Sequence, residues 1–350
     1  MKLGARTYVL DEPLQVSKLV AGAGIGRTIL DFSEADPADF AGSGCVVLGS
    51  GAALRDVTVI GIPGIDHYVP AVKLQDAVGA KVEHVRTEGA AYAGIFVSGG
   101  SDSTIERCQT ADSQAAFGLN YGVLLISCAR VLVKKCTLQA TRHGCAMGPG
   151  APENGDWAED CVVSDCTLEG TTIYGGDFHG HVRRCRYERC TMNGMTFGGS
   201  QNSARDCVIT AGYDGRSIHF ANLATFNHLV RDCVITGAND GIKGMVEFDR
   251  VPGQDTVDVE AGGTLRLVGN TVSGTGRGLM LRNRFDDALP NLILDDNEVD
   301  CTVGSTIRSL GVPSRWATAI IRANRWKAGF GLDYGAHITS PTETETMRFR

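Results

Sequence analysis

One short pattern recurs along the chain and constrains its fold more than any other feature. An apolar residue is followed by two mostly polar residues, and then by Cys or Asn, or by Val in the first two copies. The copies are Leu54-Arg-Asp-Val57, Val82-Glu-His-Val85, Ile105-Glu-Arg-Cys108, Val133-Lys-Lys-Cys136, Val163-Ser-Asp-Cys166 and Tyr187-Glu-Arg-Cys190. Ala204-Arg-Asp-Cys207, Val230-Arg-Asp-Cys233, Leu267-Val-Gly-Asn270, Leu294-Asp-Asp-Asn297 and Ile321-Arg-Ala-Asn324 continue it. The anchors lie mostly 23 to 30 residues apart, with one gap of 17 and one of 37. A second pattern, a glycine opening an alternating strand, usually follows each anchor, as at Gly94, Gly118, Gly144, Gly194, Gly215, Gly241, Gly278 and Gly331.

Like residues at like phase imply that each period stacks on the one before, so that inward side chains form ladders. Buried asparagines in such a ladder bond one another, which offsets the cost of burying an amide. The expected fold is therefore all-β: a right-handed, single-stranded parallel β-helix, a solenoid of about eleven coils. Residues 1–50 are expected to form an N-terminal capping segment, 51–338 the β-helix and 339–350 a C-terminal tail. The glycine-rich run Gly22–Asp31 has no helix after it, which argues against a dinucleotide loop.

The 12 cysteines contain no CxxC pair, and most fall on the ladder position, so they read as small buried hydrophobes rather than as disulfides or a metal site. No metal and no cofactor are expected. A formal charge of -7 argues against nucleic-acid binding. No apolar run is long enough for a membrane span, and the N-terminus lacks the apolar stretch of a secretory signal.

Ionisable residues gather on the glycine strands between positions 142 and 243. Tyr174-Gly-Gly-Asp177-Phe-His179 places three such side chains on one strand, expected to point together into solvent. One coil earlier come Arg142 and His143. Asp214, Arg216 and His219 follow, then Asp240 and Lys243. Trp157, in the insertion Ala151–Asp160, is placed to stack on a sugar ring. A Tyr/His pair can serve as acid and base, and an arginine can neutralise a carboxylate. The blander reading makes each an ordinary surface residue: Arg142 or His143 paired with Asp165 or Asp177, Lys243 paired with Asp240, and His181–Arg189 a solvated cationic face.

The repeat resembles the pectin-lyase-like β-helix superfamily over nearly the whole chain. Tyr174-Gly-Gly-Asp177-Phe-His179 is similar to the Tyr-Gly-x-Asp-Pro-His motif of mannuronan C5-epimerases and related alginate lyases, with Phe178 standing where that family has Pro. Thr141-Arg142-His143-Gly144 and the run Gly24–Asp31 resemble the β-helix proteins of bacteriophage tail spikes. These resemblances imply a virion spike, released on lysis, that binds and, in the enzymatic reading, depolymerises an anionic polysaccharide of the host surface. They also imply other virion proteins as partners and a homotrimer. The implied catalytic residues are Tyr174, Asp177, His179, Arg142 and His143, and the implied substrate-binding residues are Arg216, His219, Lys243, Trp157, Asp214 and Asp240. Proton abstraction at C5 of a uronate by His179 or Tyr174, with Arg142 or Arg216 on the carboxylate, is the leading chemistry. Hydrolysis by Asp177 with Glu153, Asp214 or Asp240 is the rival. A non-catalytic adhesin, a structural spike and a cellular lyase or epimerase stay open.

Overall fold

The computed structural model describes residues 1–64, 67–111, 120–148, 157–220, 227–241, 243–250, 263–283, 291–307, 315–316, 318–328, 330–332, 337–338 and 348–349. They fall into two compact units, Met1–Asp177 and Phe178–Arg350. Regular structure in both is almost all short parallel strand, with one 3-10 turn at Pro37–Phe40.

Stacked apolar rows hold each unit together. In the first, Leu54, Val82, Ile105, Val133 and Val163 are register partners in succession. A second row runs Leu48, Leu74, Val97, Leu125 and Met147. In the second unit Tyr187, Ala204, Val230, Leu267, Leu294 and Ile321 stack in the same way, as do Phe197, Phe220, Phe248 and Leu281. Alternation makes this possible, because a one-residue slip would turn an entire row to the other face of its sheet.

A single residue turns the chain at each anchor. The third residue of every motif copy is left-handed: φ is 59° at Asp56, 52° at His84, 55° at Asp165, 66° at Gly269 and 54° at Ala323, with Arg107, Lys135, Arg189, Asp206, Asp232 and Asp296 alike. That conformation breaks the pleat and sends the following Cys or Asn inward. It costs roughly 1–2 kcal/mol for a non-glycine residue, which the ladder beneath it offsets.

The ladder bonds as its composition suggests. In the first unit the Cys108 N–H donates to Cys136 Sγ (3.4 Å) and the Cys136 N–H to Cys166 Sγ (3.3 Å). In the second, the Cys233 N–H donates to Asn270 Oδ1 (3.0 Å), where sulfur gives way to amide. Asn270 donates its backbone N–H and Nδ2 to Asn297 Oδ1 (3.1 and 2.9 Å), and Asn297 does the same to Asn324 Oδ1 (2.9 and 2.8 Å). All 12 cysteines are buried and unbridged. Burial pushes the Cys45 thiol up to about 12, so it stays protonated and inert.

His228 opens the strand His228–Arg231 against the rings of Phe197 and Phe220. Burial pushes its pKa from 6.5 down to about 4, against backbone hydrogen bonds at Asn202 and Gly199 that raise it. The folded chain therefore holds His228 neutral where the unfolded chain takes up a proton. Its contribution is constant above about pH 6.5 and is lost as pH falls toward 4, by about 3 kcal/mol in total. Denaturant midpoints measured at neutral and mildly acidic pH should fall less for His228→Gln than for the unaltered protein. Equal losses would show that His228 does not carry the effect.

Candidate active site

The strands Val72–Gln75, Ala93–Ser98, Tyr121–Ile126 and His143–Gly148 stack in parallel in the first unit. Lys73, Phe96, Leu124 and Ala146 share one register row, on the opposite side of the sheet from the buried row of Val97, Leu125 and Met147. Tyr121, Leu124, Ala93 and Ala146 form an apolar cluster there, with Tyr92, Phe96 and Ile126 packed against it. Glycine makes the strand openings possible. A Cβ on Gly122 would lie 2.4 Å from the Gly144 carbonyl, and one on Gly144 would lie 2.7 Å from the Leu138 carbonyl.

This register corrects one phase assignment. Tyr121 pairs with His143 and Val123 with Cys145, so the stacked glycine of that coil is Gly122. Gly118 lies outside the described residues. Asn120 is fully buried and donates Nδ2 to the carbonyls of Ala90 (3.1 Å) and Tyr92 (3.4 Å).

His143 lies at the centre of the site. Its Nδ1 is 2.9 Å from the Tyr174 carbonyl oxygen. A carbonyl only accepts, so Nδ1 carries the proton and Nε2 is left as the basic atom of the neutral ring. Nε2 lies 3.5 Å from Asp177 Oδ2, and both side chains are only 3% exposed. The Tyr121 ring stacks on the imidazole, with centroids 5.9 Å apart. The Arg142 guanidinium carbon stands 5.7 Å over that same Tyr121 ring. Arg142 Nε is buried without a hydrogen-bond partner among the described residues. Burial raises the pKa of the Tyr121 phenol; Arg142 opposes this and Asp177 adds to it. Burial, followed by the neighbouring Tyr121 and Tyr68 phenols, pushes Tyr92 up to about 12. Both tyrosines therefore keep their protons at neutral pH.

The structure revises the picture of three side chains facing solvent together. Tyr174 is buried, precedes the strand Gly176–Phe178, and gives the site its carbonyl. Asp177 is buried and meets His143. Phe178 is buried against Tyr187 and Phe197. His179 is half-buried and belongs to the second unit. Trp157 is half-buried, while Glu153 and the rest of 151–156 lie outside the described residues.

In the second unit Arg216 is held by two carboxylates. It donates Nε to Asp214 Oδ2 (2.6 Å) and Nη1 to Glu247 Oε1 (3.0 Å). The Lys243 ammonium lies 3.4 Å from Asp214 Oδ2 rather than on Asp240, whose carboxylate accepts the Lys243 backbone N–H (3.4 Å). The Arg216, Asp214 and Glu247 side chains are 15%, 8% and 6% exposed. Two acids and two bases thus neutralise one another, and Arg216 is committed to protein carboxylates. His219 is half-buried, in register between Thr196 and Glu247. Asp240 is exposed. Glu247 was not anticipated; its signal was a lone acid alternating with Val246 and Phe248. In the run His181–Arg189, Arg186 and Arg189 both pair with Glu188, as a solvated face would.

Residues 88–276 match a family model described as Gp49, pectin lyase-like. No curated protein matches the sequence. Among solved structures, the tailspike protein gp49 of Pseudomonas phage LKA1 superposes with a TM-score of 0.72 at 14% identity, over 96% of this chain and 73% of that one. The tailspike gp61 of Pseudomonas phage phi297 gives 0.70 at 14% identity, over 94% and 71%. The Gp54 tailspike of Acinetobacter baumannii bacteriophage AP22, solved in complex with A. baumannii capsular saccharide, gives 0.57 at 14% identity, over 96% and 68%. Such identities speak for the shared fold alone, and that fold is the parallel β-helix.

Proposed function

Because this chain belongs to the Gp49, pectin lyase-like family, we propose that it is a tailspike-type protein that binds an acidic polysaccharide of a bacterial surface and cleaves it by β-elimination. The observation that carries the reading is the buried His143–Asp177 pair beside Arg142, whose Nε has no partner among the described residues. An Arg guanidinium with unused donors suits a uronate carboxylate, which it can grip through two parallel hydrogen bonds.

The chemistry follows from these groups. Arg142 holds the uronate carboxylate and stabilises the charge that develops when C5 loses its proton. His143 Nε2 takes that proton, and the Asp177 carboxylate stabilises the imidazolium formed. The C5–H electron pair becomes the C4–C5 double bond, and the C4–O bond breaks with its electrons going to the leaving sugar oxygen. The Tyr121 phenol gives that oxygen a proton and recovers one from the imidazolium. Trp157, of the same unit, would contact the sugars flanking the scissile bond, with assembly as a trimer on the virion completing the reading.

The test is ultraviolet absorbance of the unsaturated sugar end, recorded with alginate, polygalacturonate and extracted bacterial capsule and lipopolysaccharide. A rise that His143→Ala abolishes is the expected result. Shortening of the glycan without new absorbance would replace elimination with hydrolysis. Binding without shortening would leave an adhesin.

A further inference from the structure

The aromatic residues on the His143 face of the first unit form a row that extends away from the acid–base pair. Tyr92 meets Tyr121 edge to face, with centroids 5.8 Å apart, and Tyr68 meets Tyr92 in the same way at 5.3 Å. Phe96 lies 5.6 Å from Tyr92. With the Tyr121–His143 stack the row reads Tyr68, Tyr92, Tyr121, His143, and Tyr68 is 69% exposed at its end. Tyr92 and Phe96 are half-buried, so one edge or face of each ring reaches the surface. Arg142 stands over Tyr121, and the Lys73 ammonium, itself buried and donating to the Gly42 carbonyl (2.6 Å), lies 5.8 Å from the Phe96 ring.

Core packing accounts for Tyr121 and in part for Tyr92 and Phe96, but not for Tyr68. A tyrosine left 69% exposed contributes little burial, and its edge-to-face contact with Tyr92 holds it upright. Rings flanked by cations complement a chain with apolar C–H faces and acid substituents, and an exposed aromatic patch on a soluble protein marks a binding site. We infer that Tyr68, Tyr92 and Phe96 form a run of subsites for an acidic saccharide, leading from the His143–Asp177 pair toward the N-terminal coils. The bound chain lies across successive coils rather than around one of them. This rests on the proposed function, and it adds where the rest of the polymer lies and in which direction.

The experiment measures binding and cleavage separately, using alginate, polygalacturonate and extracted capsular polysaccharide, with dextran as a neutral control. Tyr68→Ala and the double variant Tyr68→Ala/Tyr92→Phe are compared with the unaltered protein. A stacking contact is worth about 0.5–1.5 kcal/mol, so Tyr68→Ala should weaken binding of the long chain roughly 2- to 12-fold. KM should rise by the same factor with kcat unchanged, and the shortest cleavable oligosaccharide should show no effect. A rise confined to long chains supports the row as subsites. Unchanged KM on long chains, with cleavage intact, overturns the row and leaves the proposed function standing. No binding of any acidic glycan by the unaltered protein overturns both. Tyr68 is exposed, so its replacement leaves the core untouched, and circular dichroism verifies the fold.

Discussion

His143→Ala is expected to reduce polysaccharide cleavage roughly 10²–10⁴-fold, the usual weight of a positioned acid–base group. The substitution removes the atom that meets Asp177 and the proton that the Tyr174 carbonyl accepts. It removes a hydrogen bond to a buried carbonyl and a contact to a buried carboxylate, so some loss of stability accompanies it, about 1–3 kcal/mol. His143→Gln separates the two effects, since its amide can still donate to the Tyr174 carbonyl but cannot take a proton at neutral pH. Asp177→Asn keeps the shape and removes the charge that stabilises the imidazolium. Its rate should fall, and the acidic limb of kcat/KM, which reports His143, should move to lower pH. Initial rates and thermal midpoints on the same preparations check this. Rates for His143→Gln within about twofold of the unaltered protein would remove His143 from the chemistry.

Asn297→Ala should be the most destabilising single change in the second unit, costing roughly 3–5 kcal/mol. Its Oδ1 accepts both the backbone N–H and the Nδ2 of Asn270, and its Nδ2 donates to Asn324 Oδ1 and to the Leu267 carbonyl. Alanine takes these partners from the Asn270 backbone N–H and the Leu267 carbonyl, at about 1–3 kcal/mol each and only partly additive, and opens a cavity besides, while Asn270 Nδ2 keeps the Val230 carbonyl and Asn324 Oδ1 keeps the backbone N–H of residue 297. Asn297→Cys should cost less, because earlier coils put Cys in the same place and the sulfur accepts a neighbour's N–H, as Cys136 Sγ does from Cys108. Asn297→Asp should cost at least as much as alanine, since an acid has no donor for Asn324 unless it takes up a proton. Chemical denaturation of the three variants ranks them. An alanine variant as stable as the cysteine one would show that volume, and not the amide bonds, sets the energy of the ladder.

The coils were legible because two independent features share one period: the apolar alternation and the residue that turns the chain. The pairing of His143 with Asp177 could be anticipated from spacing, since both lie at the opening of successive glycine strands. Other parts were not legible. Gly118 and Gly122 are both followed by apolar residues, and only the pairing of Tyr121 with Ala93 and with His143 selects the second. Nothing in the sequence singles out Tyr92 or Tyr121, because sequence does not say which side of a sheet a ring leaves at a strand opening. Arg216 looked available to a substrate because its partner Glu247 lies 31 residues away in sequence.

The left-handed residue before each anchor carries a lesson for recognising distant relatives. Asp, His, Arg, Lys, Gly and Ala all occupy it, so it has no consensus. What unites these positions is an exclusion: a β-branched side chain there would crowd its own backbone. A search keyed to shared letters loses such a family once identity falls to the 14% separating this chain from the phage tailspikes. A search keyed to forbidden letters, recurring with the coil and followed by a small inward residue, would keep its signal however far the surface drifts.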